Sequence, residues 1–189
     1  MTVTPQKTFR ERQIEGRLPL PFELYKGVKG KLGAMRLKLK RAYTDLTDDR
    51  GLGGCVFLEM APAVGPNNYD WKNGKIVIAL GITDIPKIIL YLRSSGHPLF
   101  QKDDGQLKIY HDRGAGTAAK GQDTTSLNFN KPPDRNNFFL QAYQKRGNVS
   151  KQATVSISPD EAIAMGTLLQ AAIPIILAWD LPPEGPANS

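Results

Sequence analysis

Met35-Arg36-Leu37-Lys38-Leu39-Lys40 is the stretch on which the fold turns. Apolar and cationic residues alternate strictly, and a period of two is the signature of a half-buried β-strand. The pattern predicts a strand within 34–43, with Met35, Leu37 and Leu39 on a core and Arg36, Lys38 and Lys40 on an open face. Downstream, 55–60 repeats the pattern with Val56, Leu58 and Met60 on the apolar side. Pro62, Gly65, Pro66, Asn67 and Asn68 read as a loop. A short strand is expected at 69–71, a hairpin turn at Asn73-Gly74 and a buried strand at 75–80. Thr83 can cap a helix over 84–93, with Pro86 tolerated in its first turn.

The second half repeats this order. Strands are expected at 107–111, 126–130, 138–143 and 153–157, with Gly147-Asn148 as a hairpin turn. Loops are expected at 113–121 and 131–137. Ser158-Pro159-Asp160-Glu161 is a specific helix start: an N-cap serine, proline at the first helical position and glutamate at the third, completing a capping box. That helix should run to about Trp179, bent at Pro174. The chain therefore reads β-β-β-β-α twice, an α+β fold with antiparallel sheet and helices on one face. The expected organisation is a loose arm over 1–25, one domain over 26–180 and a disordered Pro/Gly tail over 181–189.

Charge is distributed as unevenly as the strands are regular. The 189 residues carry 25 Lys and Arg against 18 Asp and Glu, a net +7. Residues 1–45 hold eleven of the cations and four of the acids, so the whole excess lies in that first quarter. Such asymmetry favours a polyanionic partner, and a solubilising basic tail is the plainer reading. One cysteine, Cys55, excludes an internal disulfide framework and a Cys-cluster zinc site. No run approaches the roughly eighteen apolar residues that span a bilayer. The N-terminus has no apolar core and carries Glu11 and Glu15, so neither a secretory signal nor a transit peptide is expected. A reduced, cytoplasmic compartment is the expected setting.

The open faces can be read from the same alternation. With Leu107 and Ile109 inward, Lys108 and Tyr110 face out; with Leu127 and Phe129 inward, Ser126 and Asn128 face out. With Phe138, Leu140 and Ala142 inward, Phe139, Gln141 and Tyr143 face out, as do Phe57 and Glu59 on the second strand. That surface is basic, aromatic and amide-rich. Cations neutralise phosphates and ring faces stack unpaired bases, which is what single-stranded nucleic acid requires. Aromatics also favour strands for packing alone, and a subunit seam is the competing place for Phe57, Phe139 or Tyr143.

No catalytic constellation accompanies this surface. Gly114-Ala115-Gly116 with Lys120 and Gly121 lacks the spacing of a phosphate-binding loop. His111 and Asp112 are adjacent on a strand and so point to opposite faces. His97 has no evident partner, Asp48-Asp49 and Asp103-Asp104 are turn acids, and Cys55 reads as a small buried hydrophobe. Neither a cofactor nor a metal is expected.

Three segments resemble the Whirly family of single-stranded-DNA-binding proteins. Phe57-Leu58-Glu59-Met60-Ala61-Pro62-Ala63-Val64-Gly65, then Tyr69-Asp70-Trp71 and the strand at 75–80, are similar to its second-to-fourth-strand block. Lys29-Gly30-Lys31-Leu32-Gly33-Ala34 resembles its Lys-Gly-Lys-Ala-Ala-Leu motif, with Leu32-Gly33-Ala34 departing from Ala-Ala-Leu. The stretch from Ala172 to Trp179 resembles its Pro-kinked last helix. The resemblance implies two four-stranded antiparallel sheets packed with two helices, and a cyclic homotetramer built by helix packing. It implies single-stranded DNA held along the sheets and between subunits with little sequence preference, in DNA maintenance or transcription. Guide-RNA-annealing proteins of similar architecture keep RNA open as a ligand. Plant members carry a transit peptide, so a bacterial or phage, nucleoid-associated setting is expected.

The expected nucleic-acid-binding set is Lys29, Lys31, Arg36, Lys38, Lys40, Phe57, Tyr69, Trp71, Lys108, Tyr110, Asn128, Phe139, Gln141 and Tyr143. The leading function is non-enzymatic binding of single-stranded DNA without a membrane; RNA binding or annealing, and a protein-binding scaffold, are the alternatives.

Overall fold

A computed structural model describes residues 22–26, 32–40, 54–101 and 103–177. In chain order the elements are β1 (Phe22–Tyr25), β2 (Ala34–Lys40), β3 (Cys55–Ala61), β4 (Ala63–Gly65), β5 (Asn68–Tyr69), β6 (Ile76–Leu80), α1 (Ile85–Arg93) and α2 (Pro98–Gln101). Then follow β7 (Leu107–Asp112), β8 (Asp123–Asn130), β9 (Phe138–Arg146), β10 (Val149–Ile157) and α3 (Pro159–Ile176). They build two four-stranded antiparallel sheets, ordered β1-β2-β3-β6 and β10-β9-β8-β7, and a small β4-β5 ribbon.

Alternation in β2 works as read: Met35 and Leu37 are buried, while Arg36, Lys38 and Lys40 are part-exposed. The apolar faces of both sheets merge with α1 and α3 into one core. Tyr91 of α1 sits within it, its ring meeting Phe100, Phe129 and Phe138. α1 and α3 pack on each other, and β10 meets β2, β3 and β6. A backbone bond from Gly33 N to Thr154 O, 2.7 Å, ties the sheets directly.

The start of α3 is built as expected. Glu161 accepts the Ser158 N–H at 2.8 Å and the capping box is complete. Pro174 lies inside the helix, which ends at Ile176; the stretch beyond Leu177, with Trp179, lies outside the described residues.

Several expectations change. The fourth strand of the first sheet is Phe22–Tyr25, assigned by the sequence reading to the loose arm; it pairs along β2, so the ordered domain takes in residues ahead of 26. The rest of the arm, Lys29, Lys31 and the tail over 181–189 lie outside the described residues. The short strand expected at 69–71 is Asn68–Tyr69, and it belongs to the β4-β5 ribbon. The hairpin turn is at Pro66-Asn67, where Asn67 adopts a φ of 54°. Asn73-Gly74 closes no hairpin, because β6 pairs with β3 instead. The Asp70 carboxylate accepts the Asn73 N–H at 2.7 Å and turns the chain there, and such backbone bonds hold its carboxyl below the usual range. Asp84, not Thr83, is the N-cap of α1, with its carboxylate accepting the Gly81 N–H at 3.2 Å. The strands of the second sheet run longer than expected, and α2 was not anticipated.

Candidate nucleic-acid interface

The strand registers lay out two open faces. On the second sheet, Lys108, Asn128, Gln141 and Thr154 form one cross-strand row, and Tyr110, Ser126, Tyr143 and Gln152 the next. Asn130, Phe139 and Ser156 lie in a third. Tyr110 is 62% exposed and Tyr143 37%. The Gln152 amide donates to Tyr143 Oη at 3.3 Å, which orients that ring without covering it. Lys108 reaches Asp103 at 3.6 Å, an exposed contact of little strength. Phe139 is less available: it is half-buried, and the Arg135 guanidinium lies 5.6 Å from its ring centroid.

On the first sheet, β2 and β3 set Arg36 opposite Glu59, Lys38 opposite Phe57 and Lys40 opposite Cys55. Glu59 faces outward as expected, yet it is only 7% exposed. Arg36 Nε donates to its carboxylate, and Lys38 and Lys75 approach it at 3.4 and 3.8 Å. Burial alone would push the Glu59 carboxyl up; the Arg36 hydrogen bond and charge, with Lys38 and Lys75, hold it below the usual range. Arg36 also lies 3.9 Å from Glu23 on β1, and its guanidinium sits 4.4 Å from the Trp71 ring centroid. Beside it the rings of Tyr25 and Tyr69 meet at 5.4 Å.

The structure thus sets Arg36, Lys38, Lys40 and Phe57 on the first sheet, with Trp71 of the following turn against Arg36 and Tyr69 of the β4-β5 ribbon against Tyr25, and Lys108, Tyr110, Asn128, Phe139, Gln141 and Tyr143 on the second. Lys29 and Lys31 lie outside the described residues. Tyr25, Lys75 and Glu59 are participants the sequence reading left out of the set. Alternation within Phe22-Glu23-Leu24-Tyr25 was the available signal for Tyr25; nothing local marks Glu59 as the hub of three cations.

The Gly-rich loop and His111 are engaged internally. Gly114 and Gly121 turn their N–H groups onto the Asp112 carboxylate, both at 2.9 Å, so the Gly-rich loop closes on its own acid. His111 Nε2 lies 3.2 Å from Asp84 at the head of α1. Among the described residues no group of three or more His, Cys, Asp or Glu is placed to hold a metal, and no helix is long and apolar enough to cross a membrane.

Comparison with known proteins bears on the family and the fold. The family model described as Whirly transcription factor matches residues 28–168. The chloroplastic single-stranded DNA-binding protein WHY1 of Solanum tuberosum is 27% identical over 128 residues, 67% of this chain and 43% of that protein. The chain therefore spans less than half the length of that relative. The crystal structure of WHY3 from Arabidopsis thaliana matches with a TM-score of 0.68 at 20% identity, covering 86% of this chain and 91% of that one. A guideRNA-binding protein complex bound to a gRNA matches at 0.53 and 14% identity, covering 86% of this chain and 94% of that one. These structural likenesses concern the fold, and the family match runs from ahead of β2 into α3, across both sheets. The chain belongs to the Whirly family.

Proposed function

We propose that this protein binds single-stranded DNA on the open faces of its two sheets, with little sequence preference and no chemistry of its own, in DNA maintenance or transcription. The observation that carries the reading is the row holding Tyr110 and Tyr143, exposed rings on a paired sheet beside Lys108. A duplex hides its base faces, so such rings favour unpaired strands. The proposed contacts are those of the expected set, with Lys108 and Lys38 at phosphates and the amides of Asn128 and Gln141 at base edges. Its relative WHY1 of Solanum tuberosum is named as a single-stranded DNA-binding protein, which supports the same reading.

RNA is the second reading, supported by the fold shared with a guideRNA-binding complex. Choice between the two rests on contacts to the 2′-hydroxyl. Fluorescence anisotropy with oligo-dT, oligo-rU and duplex DNA at several salt concentrations tests both. Oligo-dT should bind most tightly and duplex least. Tighter binding of oligo-rU would favour the RNA reading, and weak, unselective binding of all three a protein-binding scaffold.

A homotetramer belongs to the proposal. On α3, Ile163 is 72% exposed and Leu168 46%, a large apolar area to leave in water. Light scattering should give four times the chain mass, and Ile163→Glu should lower it; a monomer mass at micromolar concentration overturns the assembly.

A further inference from the structure

A buried carboxylate at the centre of a surface meant for phosphates is costly, because it repels the ligand and loses its own hydration. Glu59 occupies that place. It is 7% exposed, and β2 sets Arg36 directly opposite it. Arg36 Nε donates to Glu59, while Arg36 Nη1 lies 3.9 Å from Glu23. The guanidinium is thus held between two acids, one on β1 and one on β3. Its charge lies 4.4 Å from the centroid of Trp71. Trp71 itself belongs to no strand; it stands in the 71–74 turn, where no cross-strand pairing fixes it. Its backbone is held by the bond from Trp71 N–H to Tyr69 O at 3.0 Å, and the guanidinium beneath the ring is the charged partner that can fix the side chain.

We propose that Glu59 is a positioning residue for single-strand binding: it locks Arg36 against one face of Trp71, so that the opposite face is presented to a base. This deepens the reading above and rests on it. It also separates Arg36 from its neighbours. Lys38 and Lys75 make longer contacts to Glu59, and their side chains are 40% and 34% exposed. They can turn toward phosphates, while Arg36 is committed to the ring. The rival reading, a plain electrostatic repeller, has the opposite consequence: removing Glu59 would strengthen binding of any polyanion.

The test compares oligo-dT with an abasic phosphodiester strand of equal length at one salt concentration. Glu59→Gln should weaken oligo-dT binding by about five-fold, part of one stacked base. Abasic binding should hold or rise, because a negative charge is gone. Arg36→Lys keeps the net charge and should lower the oligo-dT to abasic ratio in the same way. In a Trp71→Ala background neither change should move the ratio further. Equal strengthening of both ligands by Glu59→Gln assigns it to repulsion, equal weakening assigns it to the fold, and either overturns the proposal. Should Glu59→Gln fail to fold, Arg36→Lys with and without Trp71→Ala decides alone. A wild type that binds neither strand overturns the single-strand reading and this inference together. A wild type that prefers oligo-dT, with a ratio unmoved by the variants, overturns the inference only.

Discussion

Tyr110 and Tyr143 stand in one cross-strand row, each paired with Ser126, which lies between them. Two strand spacings separate them, about 10 Å. Serine is too small to screen one ring from the other, so a strand lying across the sheet can reach both. Each stacked base is worth about 1–3 kcal/mol. Tyr110→Ala with Tyr143→Ala should therefore weaken oligo-dT binding by roughly 2–6 kcal/mol. Oligomeric mass and melting temperature should hold, since neither side chain belongs to the core. Loss of the assembly with unchanged affinity per folded subunit would instead mark these rings as a seam.

Lys38 and Lys108 lie on different sheets, both part-exposed and both in long acidic contacts. If each neutralises one phosphate, the slope of log affinity against log salt should fall by about 0.7 for each Lys→Gln change. The two changes should add, because the residues share no partner. A slope unchanged in the double variant would move the electrostatic footprint to the N-terminal region.

Much of this surface was legible beforehand, because strand alternation decides sidedness before any contact is known. Arg36, Lys38, Tyr110 and Tyr143 follow from counting by two. The Ser158 cap was legible because its signal is local. What failed was pairing. Asn73-Gly74 has the composition of a hairpin turn, but the buried face of β6, with Ile76, Ile78 and Leu80, is satisfied beside β3, far upstream. β1 was hidden by its four-residue length and by Pro19 and Pro21 ahead of it. Glu59 looked like an ordinary outward acid, because only the register sets Arg36 opposite it and only the 71–74 turn brings Trp71 against Arg36.

Glu161 joins two regions: it accepts the Ser158 N–H in the cap of α3 and meets Lys26 at 2.5 Å. Burial pushes its carboxyl up, but the Lys26 and Ser158 hydrogen bonds outweigh this and hold it below the usual range. A carboxyl lowered in the folded state stabilises above its unfolded pKa, and that contribution fades as pH falls through the folded value. Glu161→Gln keeps an acceptor for the cap and removes the charge. It should cost about 1 kcal/mol at pH 7. Thermal melts across pH 7 to about 3 should show the gap between wild type and variant closing at the acid end. A gap independent of pH would assign the loss to cap geometry.

Gly33 bonds the first sheet's end directly to β10 of the second, and the motif that residues 29–34 resemble has alanine at its place. Its N–H donates to Thr154 O at 2.7 Å and its carbonyl accepts the Lys26 N–H at 3.1 Å, so the residue is tied to β10 and to the end of β1 at once. A Cβ there would lie 2.2 Å from Ala61 O and 3.3 Å from Thr154 O, both backbone atoms that no rotamer change can move away. Restoring the motif's alanine should therefore destabilise this chain. Relief requires the start of β2 to part from the end of β3, since the Ala61 contact is far shorter than any real Cβ contact. We expect Gly33→Ala to cost about 1–3 kcal/mol, the usual range for overpacking. In a chain of this size each kcal/mol lowers the melting temperature by about 2–4 °C. The salt slope of oligo-dT binding by the folded fraction should stay at its wild-type value, since no cation moves. An unchanged melting temperature would show that the start of β2 yields freely against β3.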